Sequence, residues 1–464
     1  MLNDNSINKI LEAAMSKTAD FAEVFIEQSE SSSISLLNGR VHRAGKGIAS
    51  GIGIRLMAGT NVVYVYSNDF DTDVLIKLAL DAADALKGND KGSIRELQEK
   101  CYTTSSKLLI DPSSVKRSDT ADLLKQASSY AMGYDPLISK TMGSYTNNNR
   151  HVRIVNTEGV NCEKDTNRTR ISFTVVAAKD NEMQTGSISP GTQRGYEFIN
   201  EYPMMDKATE CCDRALRMLS AGYAPSGVMP VVLGNGFGGV IFHEACGHSL
   251  EATAVGIKSS CFTDMLGKRI ASPVVTAYDN ARIEGEWGSY MTDDEGNTSS
   301  DLLLIENGIL KNYLVDKLGS RRMNCKPTGC GRRQDYSYAP TSRMSNTFIA
   351  AGKDDPKDII KDTEYGIYCS QMGGGSVDTT TGEFNFAVNE GYMIRNGQIK
   401  EPVRGATLIG KGAEVLLNID RVGNDLELAA GACGSISGNV PVTVGQPTIR
   451  VSSMIVGGRD NGEE

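Results

Sequence analysis

Residues 234–251 read GNGFGGVIFHEACGHSLE, and two folds compete for them. The first six match the G-x-G-x-x-G loop that cradles a pyrophosphate in parallel α/β proteins, whereas the residues after them hold two histidines and a glutamate, the donor types of a metallopeptidase. In favour of the loop, Gly234, Gly236 and Gly239 follow a strand-like VMPVVL and precede a helix-like segment. A dinucleotide fold also needs a second parallel strand ending in an acidic residue about 20 positions on. The chain instead runs through SLEATAVGIKSSCFTDMLGKR, which contains no β-branched run. Close strand–helix packing is therefore the expectation for Gly234 to Gly239, with nucleotide binding the weaker alternative.

The histidines pose a geometric problem. His243 and His248 stand five apart, not four as in H-E-x-x-H. Five residues of regular α-helix turn about 500°, which leaves the side chains about 140° apart. They face one ion only if the helix is distorted, either by an i to i+5 π-turn or by ending at Gly247, so the spacing predicts a distorted helix. Neutral imidazole suits zinc, and Glu244 is placed to act as general base as the glutamate of H-E-x-x-H does. Spacing leaves a third ligand open: Cys246 and Glu251 are near, and Cys261 and Cys433 are distant candidates. Cys325 and Cys330 lack a second pair or a nearby histidine and make a poor structural zinc site.

Outward from this stretch, helical periodicity over 6–17, 72–87, 119–133 and 204–219 alternates with strand-like ADFAEVFIEQ, SSISLLNGRV, GIGIRLM, NVVYVYS, HVRIVNTEG and RTRISFTVVAAKD. The polar NNNRH (147–151) reads as turn or loop. AGYAPSG marks a boundary near 222. Beyond it short strands and glycine-rich turns dominate, and LIENGILKNYL and MIRNGQIKEPV each carry Asn-Gly between apolar runs, the signal of a two-residue hairpin. The expectation is an α+β protein: a mixed domain over 1–222, serving substrate enclosure or dimerisation, and an antiparallel, strand-rich sheet or barrel domain over 223–464 carrying the distorted helix.

Composition narrows the function. A net charge of −9 disfavours long contacts with nucleic acid. No apolar run approaches the roughly 18 residues of a membrane span, and the polar N-terminus lacks a secretory pattern, so a cytoplasmic location is expected. Ten scattered cysteines fit reduced thiols rather than a disulfide framework.

At HEACGH the chain resembles the TldD/PmbA family of metallopeptidases, in particular the TldD-type members that keep H-E-x-x-x-H. The resemblance continues through DDEGNTSSDLLLIENGILKNYLVD (293–316), TGCGRRQDYSYAPTSRMSNTFI (328–349), GGGSVDTTTGEFNF (373–386), EGYMIRNGQIKEPVRGATLIG (390–410) and CGSISGNVPVTVGQPTIRV (433–451). It implies a peptidase with one zinc ion per chain, held by His243, His248 and Cys433, with Glu244 as catalytic base. The family more often has C-G-K-x-G-Q where this chain has CGSISGN, which keeps Cys433 but changes the loop. Cys246 then reads as a small packing residue, and oxyanion donors are sought among Arg332, Arg333, Tyr336 and Tyr338. The resemblance further implies short or unfolded peptide substrates, through leader-peptide removal or antitoxin degradation, and a homodimer or a heterodimer with a PmbA-like subunit. The competing role is that of the non-catalytic PmbA-like partner itself.

Overall fold

In the computed structural model, which describes residues 2–88, 92–98, 101–378 and 380–459, the alternation of residues 21–67 becomes a meander. Strands β1 (Phe21–Leu37), β2 (Arg40–Ala58) and β3 (Asn61–Ser67) pair antiparallel. Asn38 and Gly39, both at positive φ, make the tight turn between the first two. The stretches ADFAEVFIEQ and SSISLL, expected as separate strands, are one 17-residue strand. The serine run does not break it, because each serine has ladder partners on both sides, as Ser31 does in Gly47 and Asn148.

Strands β4 (Cys101–Thr104), β5 (Ile138–Asn156), β6 (Asn161–Lys179), β7 (Glu182–Ile188) and β8 (Gly191–Thr192) complete an eight-stranded sheet in which only β4 runs parallel to its neighbour. Helices α1 (Asp4–Ala14) and α2 (Thr72–Ala85) cover one apolar patch of it; α3 (Arg117–Tyr134) and α5 (Met204–Ser220), with the short α4 (Glu197–Glu201) between them in sequence, cover another.

The NNNRH expectation is wrong: residues 147–151 lie in the middle of β5. The amide of Asn147 donates to Asn167 Oδ1 (3.0 Å) and Thr169 Oγ1 (3.1 Å), and Arg150 pairs with Glu27 at 3.0 Å. Side chains alternate along a strand, so these two lie on opposite faces: Asn147 is satisfied by neighbouring β6, and Arg150 faces the second half of the chain, where it also reaches Asp294 at 3.4 Å. Polarity there marks an internal interface, not a turn.

In the second half β9 (Gly222–Tyr223), β10 (Gly227–Leu233), β11 (Ala277–Asn280), β12 (Asp301–Glu306), β13 (Ile309–Leu310), β14 (Gly331–Arg332), β15 (Thr341–Ser342) and β16 (Asn346–Ile349) precede the long pair β17 (Tyr365–Val377) and β18 (Glu383–Arg395). After these come β19 (Gln398–Arg404), β20 (Thr407–Lys411), β21 (Ile419–Val422), β22 (Glu427–Ser435), β23 (Gly438–Gln446) and β24 (Ile449–Gly457). Pairing runs β17–β10–β24–β20–β18, and β18 returns to β17, closing a barrel that is antiparallel except at β10–β17. A second sheet, β13–β12–β11–β16–β23–β22, packs beside it. Both Asn-Gly hairpins form, at Asn307-Gly308 between β12 and β13 and at Asn396-Gly397 between β18 and β19, all four residues at positive φ. One continuous apolar cluster, from Ala224 to Val456, fills this half.

The two halves meet across buried ions. Glu23, wholly buried, accepts from Arg55 at 2.8 Å and from Arg333 at 2.6 Å, and Arg55 reaches Glu295 at 2.6 Å. Lys164 reaches Asp294 at 2.7 Å. All ten cysteines are free thiols, and among the described residues no helix is long and apolar enough to cross a membrane.

Candidate metal centre

Strand β10 delivers the chain into the 234–239 loop beside β17, where Gly234 N–H donates to the Cys369 carbonyl at 2.9 Å. The glycines of this loop serve close approach. A Cβ on Gly239 would run into the backbone of Gly445, and one on Gly238 into the Gln446 amide. Gly236 adopts a left-handed φ of +67°. The loop is thus pressed onto β23, and the parallel neighbour of β10 is β17, matched over three residue pairs, with no dinucleotide-type second strand.

The helix that follows is distorted at the motif. Val240–Phe242 forms one α-turn, His243–Gly247 a π-turn and His248–Leu250 a 3-10 turn, and the backbone N–H of His248 donates to the carbonyl of His243. Of the two distortions considered, the structure uses the i to i+5 turn. Gly247 keeps helical dihedrals, φ −53° and ψ −54°. Its missing side chain instead makes room for the Met344 sulfur, which a Cβ there would overlap.

The extra residue in the turn brings both imidazoles to one point. His243 Nε2 lies 3.2 Å from Cys433 Sγ, and His248 Nε2 lies 3.2 Å from the same sulfur. The three donor atoms fall within 4.8 Å of one another. Ligand atoms of a tetrahedral zinc ion, with bonds of about 2.0–2.3 Å, stand roughly 3.3–3.6 Å apart, close to the two sulfur–nitrogen separations here. His243 Nδ1 is buried without a hydrogen-bond partner, which leaves Nε2 of that ring as the atom turned to the cluster. The soft-plus-imidazole donor set suits zinc better than a hard oxygen-seeking cation.

Electrostatics agree with thiolate ligation. Burial opposes ionisation of Cys433, but the adjacent His243 and His248 outweigh it and lower the thiol to about 3. Burial likewise disfavours the cationic form of His248, and the carboxylate of Glu251, 3.3 Å from Nδ1, together with Cys433, overcomes it and holds the pKa well above the ordinary imidazole value. Glu251 thus orients the His248 ring from behind. Glu244 lies at the rim, 3.8 Å from His248 Nε2 with its side chain 21 % exposed, and burial raises its pKa despite the two imidazoles. With His248, Glu251, Ala432, Gly434 and Gly375–Val377 it lines an open cavity of about 590 Å³.

Of the other donors considered, Cys246 is fully buried in the apolar cluster and burial pushes its thiol far up, while Cys261 is exposed. Arg332 and Arg333 are engaged elsewhere: Arg332 donates to the carbonyls of Met344 (2.5 Å) and Pro441 (2.6 Å), and Arg333 to Glu23. Tyr336 packs edge-on against Tyr66, ring centroids 6.2 Å apart. Sequence reading missed Arg343, which is wholly buried and holds the ligand strand. Its guanidinium donates to the Cys433 carbonyl at 2.5 Å and to Ser437 Oγ and the Gly438 carbonyl, with Glu251 Oε1 3.9 Å from Nε. No local motif announces it, because all of these partners are distant in sequence.

Comparison with known proteins places this geometry in context. Residues 22–86, 110–219 and 226–458 match, in turn, domain 1, the central domain and the C-terminal domain of the PmbA/TldA metallopeptidases. The chain is 33% identical over 466 residues to "Metalloprotease TldD homolog" of Buchnera aphidicola, covering 98% of this chain and 96% of that one. It is also 33% identical over 474 residues to the Haemophilus influenzae protein of the same name, covering 98% and 97%. The crystal structure of TldE from Thermococcus kodakarensis superposes with a TM-score of 0.77 at 16% identity, covering 97% of this chain and 99% of that one, a likeness of fold.

Proposed function

The chain belongs to the PmbA/TldD metallopeptidase family, and from that premise we propose that it is a zinc-dependent peptidase acting on short or unfolded peptides. The observation that carries this reading is the convergence of His243 Nε2, His248 Nε2 and Cys433 Sγ within 4.8 Å on a π-turn. These three residues would hold one ion per chain. When bound, zinc supplies Lewis acidity toward a water and the scissile carbonyl.

The remaining work falls to this chain's own side chains. Glu244, at the cavity rim and with a raised pKa, takes a proton at its carboxylate and returns it to the leaving amine. Glu251 keeps the His248 ring in register, and Arg343 keeps the Cys433 strand in place. An extended peptide is accommodated between Gly375–Val377 and Ala432–Ser435, where main-chain pairing makes little demand on sequence. Such a mode suits leader-peptide removal or degradation of unfolded antitoxins.

We place the chain in the cytoplasm as a homodimer or as the catalytic member of a heterodimer with a PmbA-like subunit. What supports an assembly is the outer edge of β2: it is paired with β3 only from Ile52, so its exposed stretch 40–49 offers free main-chain groups. The test is the purified chain alone. It should carry about one zinc ion per chain and cleave an unstructured peptide, with activity lost on chelation. A chain free of transition metal, or one loaded yet inert both alone and after addition of a PmbA-like subunit, overturns the catalytic assignment in favour of the partner role.

A further inference from the structure

A second cavity, of about 250 Å³, lies between the two halves and is lined by an excess of cations. Residues Lys164, Thr166 and Arg168 project from one face of β6, and Asn148 and Arg150 from the matching face of β5, where Asn148 stands directly opposite Arg168. The second half contributes Arg332, Arg333, Trp287 and the Asn439–Pro441 segment. Carboxylates answer some of this charge. Asp294 is taken by Lys164 at 2.7 Å and Arg150 at 3.4 Å, Glu27 by Arg150, and Glu23 by Arg333. Asp293 is occupied by the backbone N–H groups of Glu295, Asn297 and Gly331.

Arg168 and Arg332 are left over. Arg168 is 8 % exposed, and its hydrogen bonds all go to neutral oxygens: the Trp287 carbonyl at 2.9 Å, and Thr166 Oγ1 and the Ser289 carbonyl at 3.4 Å. Three of its five N–H groups are used. Burial, with Arg332 and Arg150 close by, pulls its pKa down to about 9, and the carboxylate of Asp294 offsets only part of this. Arg332, 5 % exposed, lies over the Tyr290 ring, 5.1 Å from its centroid, and donates to the Met344 and Pro441 carbonyls, with no ion pair to a carboxylate among the described residues. A buried charge with no direct ion pair is costly to a fold, and a planar guanidinium with N–H groups to spare is the donor that grips a carboxylate from two sides.

The cavity is also tied to the metal centre. Val440 lines it and is the cross-strand partner of Cys433 in the β22–β23 pair, about 5 Å away by strand geometry. Arg332 holds the carbonyl of Met344, whose sulfur sits against Gly247 of the π-turn. Its volume is below the roughly 300–1,000 Å³ of pockets that enclose whole ligands, so it fits one anionic group of a longer molecule.

We propose that Arg168 and Arg332 form a carboxylate-binding subsite that anchors the peptide substrate, taking its C-terminal carboxylate or an acidic side chain while the rest of the chain extends toward the metal centre. The inference rests on the peptidase reading for its occupant, and its test reads binding rather than turnover.

Trp287, the only tryptophan of the chain, lines the cavity and reports directly on it. The probe is an unstructured decapeptide titrated into the full chain carrying Glu244→Gln, with chromatography to verify that the peptide stays intact. It is offered with a free C-terminus, as its C-terminal amide, and with its Asp and Glu residues changed to Asn and Gln. Removing the relevant carboxylate should weaken binding about tenfold or more. Loss in the amide alone identifies the C-terminus as the occupant, and loss in the Asn/Gln peptide alone identifies a side chain.

In Arg168→Gln the same peptides should bind equally weakly, so that the carboxylate effect vanishes. Should that variant not fold, Asn148→Asp serves instead: it supplies Arg168 with an internal carboxylate across the β5–β6 pair, raising the thermal midpoint and abolishing the preference. Equal binding of all three peptides to the parent chain, an undiminished preference in either variant, or displacement of the peptide by millimolar inorganic phosphate without any carboxylate preference overturns the proposal. If the peptides bind with these preferences yet are never cleaved by the chain with Glu244 intact, alone or with a PmbA-like subunit, the peptidase reading fails and the subsite stands.

Discussion

The backbone N–H of His248 donates to the carbonyl of His243, five residues earlier, and this single hydrogen bond decides where two side chains point. An α-helical bond would leave the imidazoles about 140° apart. The π-turn instead sets both Nε2 atoms 3.2 Å from Cys433 Sγ, on a strand 185 residues further along the chain from His248.

The donor set makes the first prediction. Cys433→Ala should lose bound zinc, from about one ion per chain to a small fraction, whereas Cys246→Ala should retain it, because only Cys433 faces the histidines. Elemental analysis of the purified variants decides the matter, and the opposite pattern removes Cys433 from the ligand set.

Glu244 sits beside the cluster without belonging to it. Glu244→Gln should therefore keep its metal and lower peptide turnover by about a hundredfold or more, the effect of losing a positioned proton acceptor. Steady-state cleavage of a fluorogenic peptide, measured on metal-matched samples, gives the answer; near-normal rates exclude Glu244 from proton transfer.

How much of this was legible in the sequence varies from residue to residue. The π-turn followed from arithmetic, since five-residue spacing permits a shared ligand only on a distorted helix. Cys433 came only through family likeness, because nothing local to residue 433 signals a partner at 243. Arg343 escaped notice altogether, since its partners at Cys433, Ser437 and Glu251 are joined only by the folded chain. The NNNRH segment was misread because composition cannot distinguish a solvated turn from a strand whose polar face is buried against other polar groups. Glu251, weighed as a ligand, lies instead behind His248.

That position of Glu251 carries a third expectation. Glu251→Gln removes the negative charge that orients the His248 ring through Nδ1, and outer partners of this kind influence metal affinity by about ten- to a hundredfold. Competition against a chromophoric chelator should show weakening of that order. Unaltered affinity means that the ring is held by packing alone.

Acid should unlock the ionic seam between the halves. Glu23 is fully buried; burial raises its pKa, yet Arg55 and Arg333 outweigh burial and hold it below the ordinary 4.5. A folded pKa below the unfolded one means that the stabilisation is complete above about pH 4.5 and declines as pH falls further. Glu23→Gln should cost about 3–5 kcal/mol at pH 7, by taking from Arg333 its paired carboxylate and leaving Arg55 with Glu295 alone, and should flatten the acid decline. Chemical denaturation at a series of pH values measures both; parallel curves for the two proteins refute it.

Substrate state is the last prediction. A peptide that pairs through its main chain must be extended, so cleavage should track local unfolding of the target. Offered one polypeptide in a stable and a destabilised form with the same residues around the cut, the enzyme should process only the second at an appreciable rate. Equal cleavage of a form shown to stay folded points to an open cleft instead.

The seam of Glu23, Arg55, Glu295 and Arg333 has a bearing on how this molecule can be divided. The barrel half contains all the donors of the metal cluster, yet isolating it would take from Arg333 its ion pair with Glu23 and from Glu295 its ion pair with Arg55. The sheet half would be left with Glu23 and Arg55 joined to each other but each missing its second partner. Neither fragment inherits a finished surface, so the chain behaves as a single inheritable unit whose parts are not interchangeable modules.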